Sequence, residues 1–306
     1  MRALVKSAIV ALLFCVGAAA SLRAGPFEDG RAASQAGDYA TALILFRQAA
    51  DQGHAEALRS LALMYYAGQG VAQDYGAAAE WFRKLADQGN PDAQHTLGLM
   101  YEEGRGVPQD YPAAISWFRK AADRGYAEAQ VRLGAMYFDG NGLPLDYVQA
   151  AAWYRKAAEQ GHTQAQNNLG SMYDNGQGVA QDYVQAANWF RKAAEQGHVQ
   201  AQINLASMYD DGQGVPQDSA AAAGWYRKAA EQGFAKAQYN LAVMYFNGQG
   251  VPQDYVEAHK WFALAAARFT GEVRERMVQN RDIVAKNMTP AQIAEAQKLA
   301  REWQPK

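Results

Sequence analysis

The sequence predicts an all-α protein, a solenoid of two-helix hairpins, and the main observation behind this prediction is a strict period of 36 residues. A tryptophan, a tyrosine and a pair of glycines each occur six times at that spacing, beginning with Trp81, with Tyr65, and with Gly68 and Gly70. Such a period is typical of one supersecondary unit copied in tandem. Because these units stack on one another, we expect one continuous core along the 306-residue chain.

Composition supports helices and argues against a nucleic-acid partner. The apolar fraction is 49%, and much of it is alanine, which has the highest helix propensity. β-branched residues form no runs that would predict strands. The formal net charge of -2 provides no excess of basic residues to bind phosphate groups, so the sequence predicts no nucleic-acid partner.

Residues 1–24 have the pattern of a secretory signal peptide. Arg2 and Lys6 form a short basic region, and a stretch of apolar and small residues follows. The predicted cleavage point lies after Ala20, with cleavage after Ala24 as the alternative. We therefore expect an exported, periplasmic protein whose mature chain has no transmembrane span. The alternatives are an extracellular location or an uncleaved N-terminal anchor.

The fourth repeat, residues 163–198, shows how one period divides into two helices. Four apolar residues on one helical face predict the first helix: Ala165, Leu169, Met172 and Tyr173. Gly176 and Gly178 end this helix, because glycine adopts positive φ angles freely. Asp182 is placed to cap the second helix with its carboxylate. The predicted inner face of that helix consists of Ala186, Phe190, Ala193 and Ala194, with Trp189 beside it.

Glycine also recurs inside the first helix of three repeats, at Gly98, Gly134 and Gly170. Glycine destabilises a helix by about 1 kcal/mol relative to alanine, so its presence predicts close contact with the second helix. The tryptophan, tyrosine and methionine columns are predicted to fill the core between hairpins.

The repeat resembles the Sel-one-like repeat, a two-helix relative of the tetratricopeptide repeat, in the string A-x-x-x-L-G-x-M-Y-x-x-G-x-G-V-x-x-D-Y-x-x-A-x-x-W-F-R-K-A-A-E-Q-G. The resemblance covers residues 55–270 in six copies, and residues 27–54 resemble a degenerate N-terminal hairpin in which Leu45 replaces the tryptophan. It implies a right-handed superhelical solenoid that serves as a protein-interaction scaffold. Secreted bacterial members of this family are often periplasmic regulators or envelope assembly factors.

Residues 271–306 leave the period and are predicted to form helices that cap the C-terminal end. Val273, Met277 and Val284 indicate one helix. Thr289 has the features of an N-cap, because a proline follows it and Gln292 can complete a capping box. The inner side of the last helix is predicted to consist of Ile293, Ala296, Ala300 and Trp303. Such an atypical unit covers the last apolar face of a solenoid.

The sequence predicts no catalytic, cofactor-binding or metal-binding residues. His54, His162 and His198 share one column of the repeat. Neighbouring copies stand about 10 Å apart, so these side chains cannot ligate one zinc ion. The repeated aspartates, from Asp74 to Asp254, are assigned to helix caps, and the G-x-G strings lack the preceding strand of a dinucleotide site. We therefore predict that the protein is not an enzyme.

Two other functions stay open. One is an envelope enzyme, or enzyme subunit, acting on cell-wall peptide or β-lactam-like substrates, as some members of the family do. Those members have a disulfide-rich pattern, whereas Cys15 is the only cysteine here and lies in the predicted signal peptide. The other is a purely structural spacer in a larger envelope complex.

Arg-Lys pairs recur on the second helices, from Arg83 and Lys84 to Arg227 and Lys228. An acidic residue follows each arginine by four positions, so the row is predicted to be a charge-balanced, solvent-exposed face. The alternative is a surface for an acidic partner or an anionic lipid.

Three positions of each first helix vary freely among the six copies, and their spacing of i, i+4 and i+7 predicts one stripe opposite the core. In tetratricopeptide-like superhelices this stripe lines the concave groove, so we expect a protein or extended peptide of the envelope to bind there. Large apolar residues near both ends of the stripe are candidate anchors, and acidic residues form its rim. The partner-binding candidates are Arg59, Leu63, Tyr66, His95, Leu99, Glu102, Val131, Phe138, Asn167, Ser171, Asp174, Ser207, Asp210, Tyr239, Val243 and Phe246.

Asn168, Asn204 and Asn240 form a ladder beside this stripe. Their amides could hold the backbone of an extended peptide, or they could serve packing between adjacent first helices. The sequence as a whole predicts a non-catalytic scaffold or regulator of the cell envelope that binds protein or peptide through its concave groove.

Overall fold

The computed structural model describes residues 25–305, which form sixteen α-helices and, over that range, no strand. The predicted signal peptide, residues 1–24, lies outside the described residues. No helix within residues 25–305 is long and apolar enough to cross a membrane. The helices are α1 (Pro26–Gln35), α2 (Tyr39–Asp51), α3 (Ala55–Ala67), α4 (Tyr75–Asp87), α5 (Pro91–Glu103), α6 (Tyr111–Asp123), α7 (Ala127–Asp139), α8 (Tyr147–Glu159), α9 (Thr163–Asn175), α10 (Tyr183–Glu195), α11 (Val199–Asp211), α12 (Ser219–Glu231), α13 (Ala235–Asn247), α14 (Tyr255–Ala266), α15 (Gly271–Ala285) and α16 (Pro290–Glu302).

Consecutive helices from α1 to α15 pack against one another, both within a hairpin and between one hairpin and the next. The odd-numbered helices from α3 to α13 are the first helices of the six full repeats, and the even-numbered helices from α4 to α14 are the second helices. The predicted all-α solenoid of 36-residue hairpins is confirmed. Its core consists mainly of buried alanine, leucine, methionine and aromatic side chains.

Aspartates start the second helices and glycines end the first helices, as predicted. In α10 the Asp182 carboxylate accepts a hydrogen bond from the backbone N–H of Gln185 at 3.0 Å. Gly176 ends α9 in the left-handed conformation, with φ +67°. The second glycine of the pair is needed for a different reason, because a Cβ at Gly178 would lie 2.0 Å from the carbonyl oxygen of Tyr147. The loop of one repeat therefore rests on the second helix of the preceding repeat, where only glycine fits.

Glycine inside the first helices lets an aromatic ring of the second helix lie directly on the backbone. A Cβ at Gly170 would lie 2.8 Å from the ring of Phe190, and one at Gly134 would lie 2.7 Å from the ring of Tyr154. The predicted close contact within the hairpin is confirmed, and a side chain added at either glycine would force the ring to shift.

The tryptophan and tyrosine columns pack against the core but are mostly half-buried, so the prediction that the three columns fill the core holds in full for methionine and in part for the other two. From Trp81 to Trp225 the rings are half-buried, and the ammonium group of the lysine three residues later lies 3.7–4.0 Å from each ring centre. Trp261 is only 4% exposed, because Trp303 at the end of α16 lies beside it with ring centroids 6.1 Å apart. A ring at the edge of the hairpin interface is buried on both sides when a further helix covers it.

The basic row is solvent-exposed, as predicted, apart from the partly buried Arg191. Its arginines, together with Arg47 of α2, also join neighbouring hairpins. Each donates a hydrogen bond to a tyrosine hydroxyl 18 residues later, on the first helix of the next repeat. For example, Arg155 Nη2 lies 2.7 Å from Tyr173 Oη. The pairs are Arg47–Tyr65, Arg83–Tyr101, Arg119–Tyr137, Arg155–Tyr173, Arg191–Tyr209 and Arg227–Tyr245.

A column of buried glutamines, not predicted, also connects the repeats. Gln166 Nε2 donates to the carbonyl oxygen of Ala158 at 3.1 Å, and its Oε1 accepts from Gln196 of the next turn at 2.8 Å. In Gln94 the Oε1 atom is buried without a partner, because Arg124 stands where other repeats have the donor glutamine. The recurring Ala-Gln near the start of each first helix is the sequence signal that would have revealed this column.

The C-terminal helices close the array. Both α15 and α16 pack on α14, and Val284 and Ala296 are buried there. The predicted capping box is present, since Thr289 Oγ1 accepts from the N–H of Gln292 and the Gln292 side chain accepts from the N–H of Thr289.

Replacing Trp261 by alanine should destabilise the protein more than replacing Trp189, because the first ring is buried and the second is half-buried. We expect Trp261→Ala to lower the free energy of unfolding by about 3–5 kcal/mol and Trp189→Ala by roughly half as much. The exposed Glu195→Ala variant is the control and should change it by less than about 0.5 kcal/mol. Urea unfolding measures all three, and equal midpoints for the two tryptophan variants would contradict the difference.

Replacing Arg124 by glutamine should stabilise the protein, because it restores the amide donor for Gln94 Oε1. The expected gain is about 1 kcal/mol, the typical net value of one hydrogen bond. The matched control is Gln196→Ala, which removes the same donor from Gln166 and should cost about 1–3 kcal/mol. An Arg124→Gln variant with an unchanged or lower unfolding midpoint in urea would refute this account.

Candidate functional site

The sixteen candidate residues lie on the six first helices, α3, α5, α7, α9, α11 and α13, and together define what we call the first-helix face. Arg59 and Leu63 are exposed, whereas Glu102 and Asn167 are buried, at 8% and 7% exposure. The other candidates are partly exposed. The face is therefore partly packed and differs from the fully open stripe that its spacing suggested.

Three cavities follow one another along this face. The first cavity, of about 170 Å³ between α7 and α9, is lined by Phe138, Tyr154, Asn168 and Ser171. The middle cavity, of about 330 Å³ between α9 and α11, is lined by Ser171, Asp174, Asn175, Phe190, Gln200, Asn204, Ser207, Met208 and Gln213. The third cavity, of about 170 Å³ between α11 and α13, is lined by Asp210, Tyr226, Tyr239, Asn240, Val243, Met244 and Gln249. Since packed helices stand about 10 Å apart, the row is about 20 Å long.

Larger hollows lie elsewhere on the described surface. One of about 390 Å³ lies at a turn between repeats, beside Gly89 and Arg124, and one of about 420 Å³ lies on α15, beside Arg274 and Val278. Both are away from the three variable positions of the first helices. On the first-helix face, cavities and variable positions coincide, so we take this face as the candidate site.

The N-terminal end of the face is closed by contacts within the protein. The Tyr66 hydroxyl accepts a hydrogen bond from Arg105, and its ring meets Tyr75 edge-on with centroids 5.0 Å apart. The Arg132 guanidinium binds both carboxylate oxygens of Glu102, with Nε 2.7 Å from Oε2. Tyr66 and Glu102 are therefore occupied, which argues against the predicted anchoring role of Tyr66.

Most of the remaining N-terminal candidates also contact other residues of the protein. Leu99 packs against the core of α6 and α7. Arg59 forms an ion pair with Asp92 at 3.7 Å. The His95 ring lies 5.6 Å from the ring of Phe118, and burial lowers the pKa of His95. Of the apolar candidates in this part, Leu63 is the one with an open side chain, at 47% exposure.

The side chains of the asparagine ladder bond to other residues of the protein. Asn204 Nδ2 lies 3.5 Å from Asn167 Oδ1 on the neighbouring first helix. Asn168 Oδ1 accepts from Gln164 at 2.8 Å, and Asn240 bonds to the hydroxyl of Tyr226 in the preceding hairpin. Of the two interpretations of the ladder, the structure favours contacts within and between hairpins.

Asp174 is the exception among the acidic candidates, because its carboxylate has no hydrogen bond or ion pair within residues 25–305. Burial alone raises the pKa of Asp174 above its ordinary value. By contrast, the Asp210 carboxylate accepts from Gln249 at 2.8 Å, and the Asp211 carboxylate accepts from Ser207 at 3.3 Å.

Four consecutive first helices, α5, α7, α9 and α11, have an acidic residue at the last or next-to-last position and no basic residue in the last turn. The carboxyl end of a helix carries partial negative charge, so carboxylates there are unfavourable and a nearby cation is favoured. Residues that break such a local rule are often found at functional sites. They are Glu102, Glu103, Asp139, Asp174, Asp210 and Asp211.

The apolar candidates of the middle and C-terminal repeats lie against second helices. Phe138, Tyr239 and Phe246 each have an aromatic neighbour there, with ring centroids 5.1, 5.7 and 5.9 Å away. Val131 and Val243 pack against the adjoining cores. All five remain partly exposed, so they present apolar surface while the contacts described above hold their side chains in place.

The repeated histidines serve as helix caps. His54, His162 and His198 each accept a hydrogen bond at Nδ1 from the backbone N–H three residues later, at 3.2–3.3 Å. Over residues 25–305, no three His, Cys, Asp or Glu side chains are grouped so that they could hold a metal ion.

Comparison with known proteins gives a consistent result. The Sel1 repeat family model matches seven consecutive segments, residues 18–54, 55–90, 91–126, 127–162, 163–198, 199–234 and 235–268. A Sel1 repeat protein from Oxalobacter formigenes is 32% identical in sequence; the match covers 81% of this chain and 98% of that chain, with a TM-score of 0.66. The c5321 protective antigen of uropathogenic Escherichia coli, with an SLR fold, is 28% identical; the match covers 91% of this chain and 83% of that chain, with a TM-score of 0.51. No curated protein matches the chain.

Replacing Asp174 by asparagine should stabilise the protein at neutral pH. Because the folded-state pKa of Asp174 is raised, the folded protein holds this proton more tightly than the unfolded chain, and stability falls as pH rises through that pKa. The variant should therefore unfold at higher urea concentration than the parent at pH 7, and the difference should shrink near pH 3, where the carboxyl group is protonated in both states. Asp211→Asn, on the exposed end of α11, is the control. A destabilised Asp174→Asn variant at pH 7 would show that the carboxylate has a stabilising partner.

Proposed function

The chain belongs to the Sel1 repeat family, and we propose that it acts in the cell envelope as a non-catalytic scaffold or regulator that binds a protein or extended peptide through its first-helix face. A solenoid of this kind has a large surface relative to its core, and its repeated helices present side chains in a regular row. Such a surface suits an elongated partner. In this proposal the first-helix face is the concave groove of the superhelix.

The row of three cavities carries the proposal. They lie on consecutive repeats, and their lining includes candidates that vary between repeats, among them Phe138, Asp174 and Tyr239. Positions that the repeat leaves free, and that still hold aromatic side chains beside a cavity, are suited to anchor a partner.

The polar groups of the row support binding more than catalysis. Acid–base catalysis needs a proton donor and a proton acceptor close together in different environments. Asp174 has a raised pKa, but the other groups lining its cavity are amides, hydroxyls and apolar side chains. For this reason we favour a binding scaffold over the alternative of an enzyme acting on cell-wall peptide or β-lactam-like substrates.

Location in the envelope rests on residues 1–24, whose basic, apolar and small-residue order is that of a signal peptide. Protein recovered from intact cells should begin at Ser21 or Gly25 when its N-terminus is sequenced. A cytoplasmic protein that begins at Met1 would contradict export and leave the binding proposal to be judged by its own test.

Binding through the first-helix face should depend on its cavities and not on the second helices. A partner captured from an envelope extract should bind the Phe138→Ala and Tyr239→Ala variants more weakly, by about 2 kcal/mol each, as hot-spot residues do. Ser171→Tyr should also weaken binding, because Ser171 lines the first and middle cavities and a larger side chain would fill them. The latter variant removes no core contact, so it separates lost binding from lost folding.

The matched control is Val148→Ala, an apolar residue of α8 that is 62% exposed. It should leave affinity unchanged. Melting curves and helical content are measured for every variant. If Val148→Ala abolishes binding and Ser171→Tyr does not, the interface lies on the second helices and the proposal is wrong.

A further inference from the structure

We propose that the first-helix face takes an extended peptide with a basic side chain in the middle cavity and an apolar side chain three residues away on each side. This rests on the proposed function and specifies the chemistry of its partner. The inference follows from the free carboxylate of Asp174, from the contents of the two flanking cavities and from the spacing of the repeats.

The middle cavity is suited to a cation. Asp174 is the charged group in its lining, and its carboxylate has no partner among residues 25–305. The other polar groups in the lining are neutral hydroxyls and amides, from Ser171, Asn175, Gln200, Asn204, Ser207 and Gln213. A guanidinium or ammonium group placed there would form a charge-assisted hydrogen bond with the carboxylate. It would also bond to amide oxygens of the lining that have no partner within residues 25–305, those of Asn175, Gln200 and Gln213.

The surroundings of Asp174 strengthen this preference. Asp174 lies in the last turn of α9, where the helix dipole already favours positive charge. On α11, Asp211 adds a further negative charge at the rim, with its carboxylate bonded to Ser207. Burial raises the pKa of Asp174, as expected for a carboxylate that lacks a counter-charge.

The flanking cavities are suited to apolar side chains. In the first cavity Phe138 and Tyr154 supply the aromatic lining, and the amide oxygen of Asn168 already accepts from Gln164. The third cavity has its own polar groups satisfied by contacts within the protein.

In that third cavity Tyr239, Val243 and Met244 supply the apolar lining. The carboxylate of Asp210 accepts from Gln249 at 2.8 Å. A second cation is therefore not required there, and the exposed parts of the aromatic and aliphatic side chains remain for an apolar residue of the partner.

The spacing decides which residues of a peptide can reach the three cavities. Neighbouring hairpins stand about 10 Å apart. A peptide in the polyproline II conformation rises about 3.1 Å per residue and has three residues per turn, so side chains three positions apart lie on one side of it, about 9 Å from each other. A peptide that runs along the face would place residues i, i+3 and i+6 in the three cavities.

The probe for this inference is a fluorescent heptapeptide with leucine at its first and last positions, arginine in the centre, and serine and glycine between them. Its affinity for the mature protein is measured by fluorescence anisotropy at low salt. The comparison peptide has citrulline in place of arginine, which keeps the shape and removes the charge. We expect the arginine peptide to bind about ten-fold more tightly.

Asp174→Asn should reduce the affinity for the arginine peptide to the level of the citrulline peptide. Asp211→Asn, which removes the same charge beside the middle cavity, should keep most of the difference. Because we expect Asp174→Asn to stabilise the fold, its loss of binding would not result from unfolding. A pentapeptide that separates the arginine from each leucine by one residue should bind more weakly, because it cannot span the three cavities.

Equal binding of the arginine and citrulline peptides, or binding of neither, would overturn the inference. So would a preference for arginine that persists in Asp174→Asn. These results differ from a failure of the proposed function, in which the partner captured from the envelope would bind Ser171→Tyr as well as it binds the parent protein.

Discussion

The stacking of one hairpin on the next is the interaction on which the rest of the structure depends. A single hairpin cannot cover its own apolar face, so each repeat is completed by its neighbour. The contacts at this junction are close: Gly178 lies against the backbone of Tyr147, and Gln166 donates a hydrogen bond to the carbonyl oxygen of Ala158 in the preceding hairpin. Because each copy meets the same neighbour, the same residues recur every 36 positions.

The array ends where no further repeat is present to cover the apolar face of the last one. At the C-terminal end α15 and α16 replace a further hairpin, and Trp303 covers Trp261, which is therefore buried while the preceding members of its column are half-buried. At the N-terminal end α1 takes a similar position, and Phe27 stacks on His54 with ring centroids 4.3 Å apart. Both ends use aromatic rings because these cover a large apolar area with few residues.

The candidate site lies where the stacking of hairpins constrains the choice of residue least. On the first-helix face the repeat leaves three positions per helix free, and there the chain departs from what stability alone would favour. Asp174 sits at the negative end of a helix without a counter-charge, although an asparagine would avoid that cost. A residue that weakens the fold in this way is expected where function needs it, since binding sites commonly trade stability for activity.

Sequence by itself determined the hairpin, its number of copies and its caps. These follow from local chemistry: a period of 36 residues, the carboxylate of Asp182 at a helix start and the positive φ of Gly176 at a helix end. It also located the face on which cavities occur, because the variable positions fall on one side of each first helix. Only the tertiary structure decided how exposed each side chain is. How closely neighbouring hairpins approach decides four features: the half-burial of Trp189, the bond from Arg155 to Tyr173, the closure of the face by Arg105 and the three cavities. This approach results from packing between residues 18 to 39 positions apart and not from the pattern within one repeat.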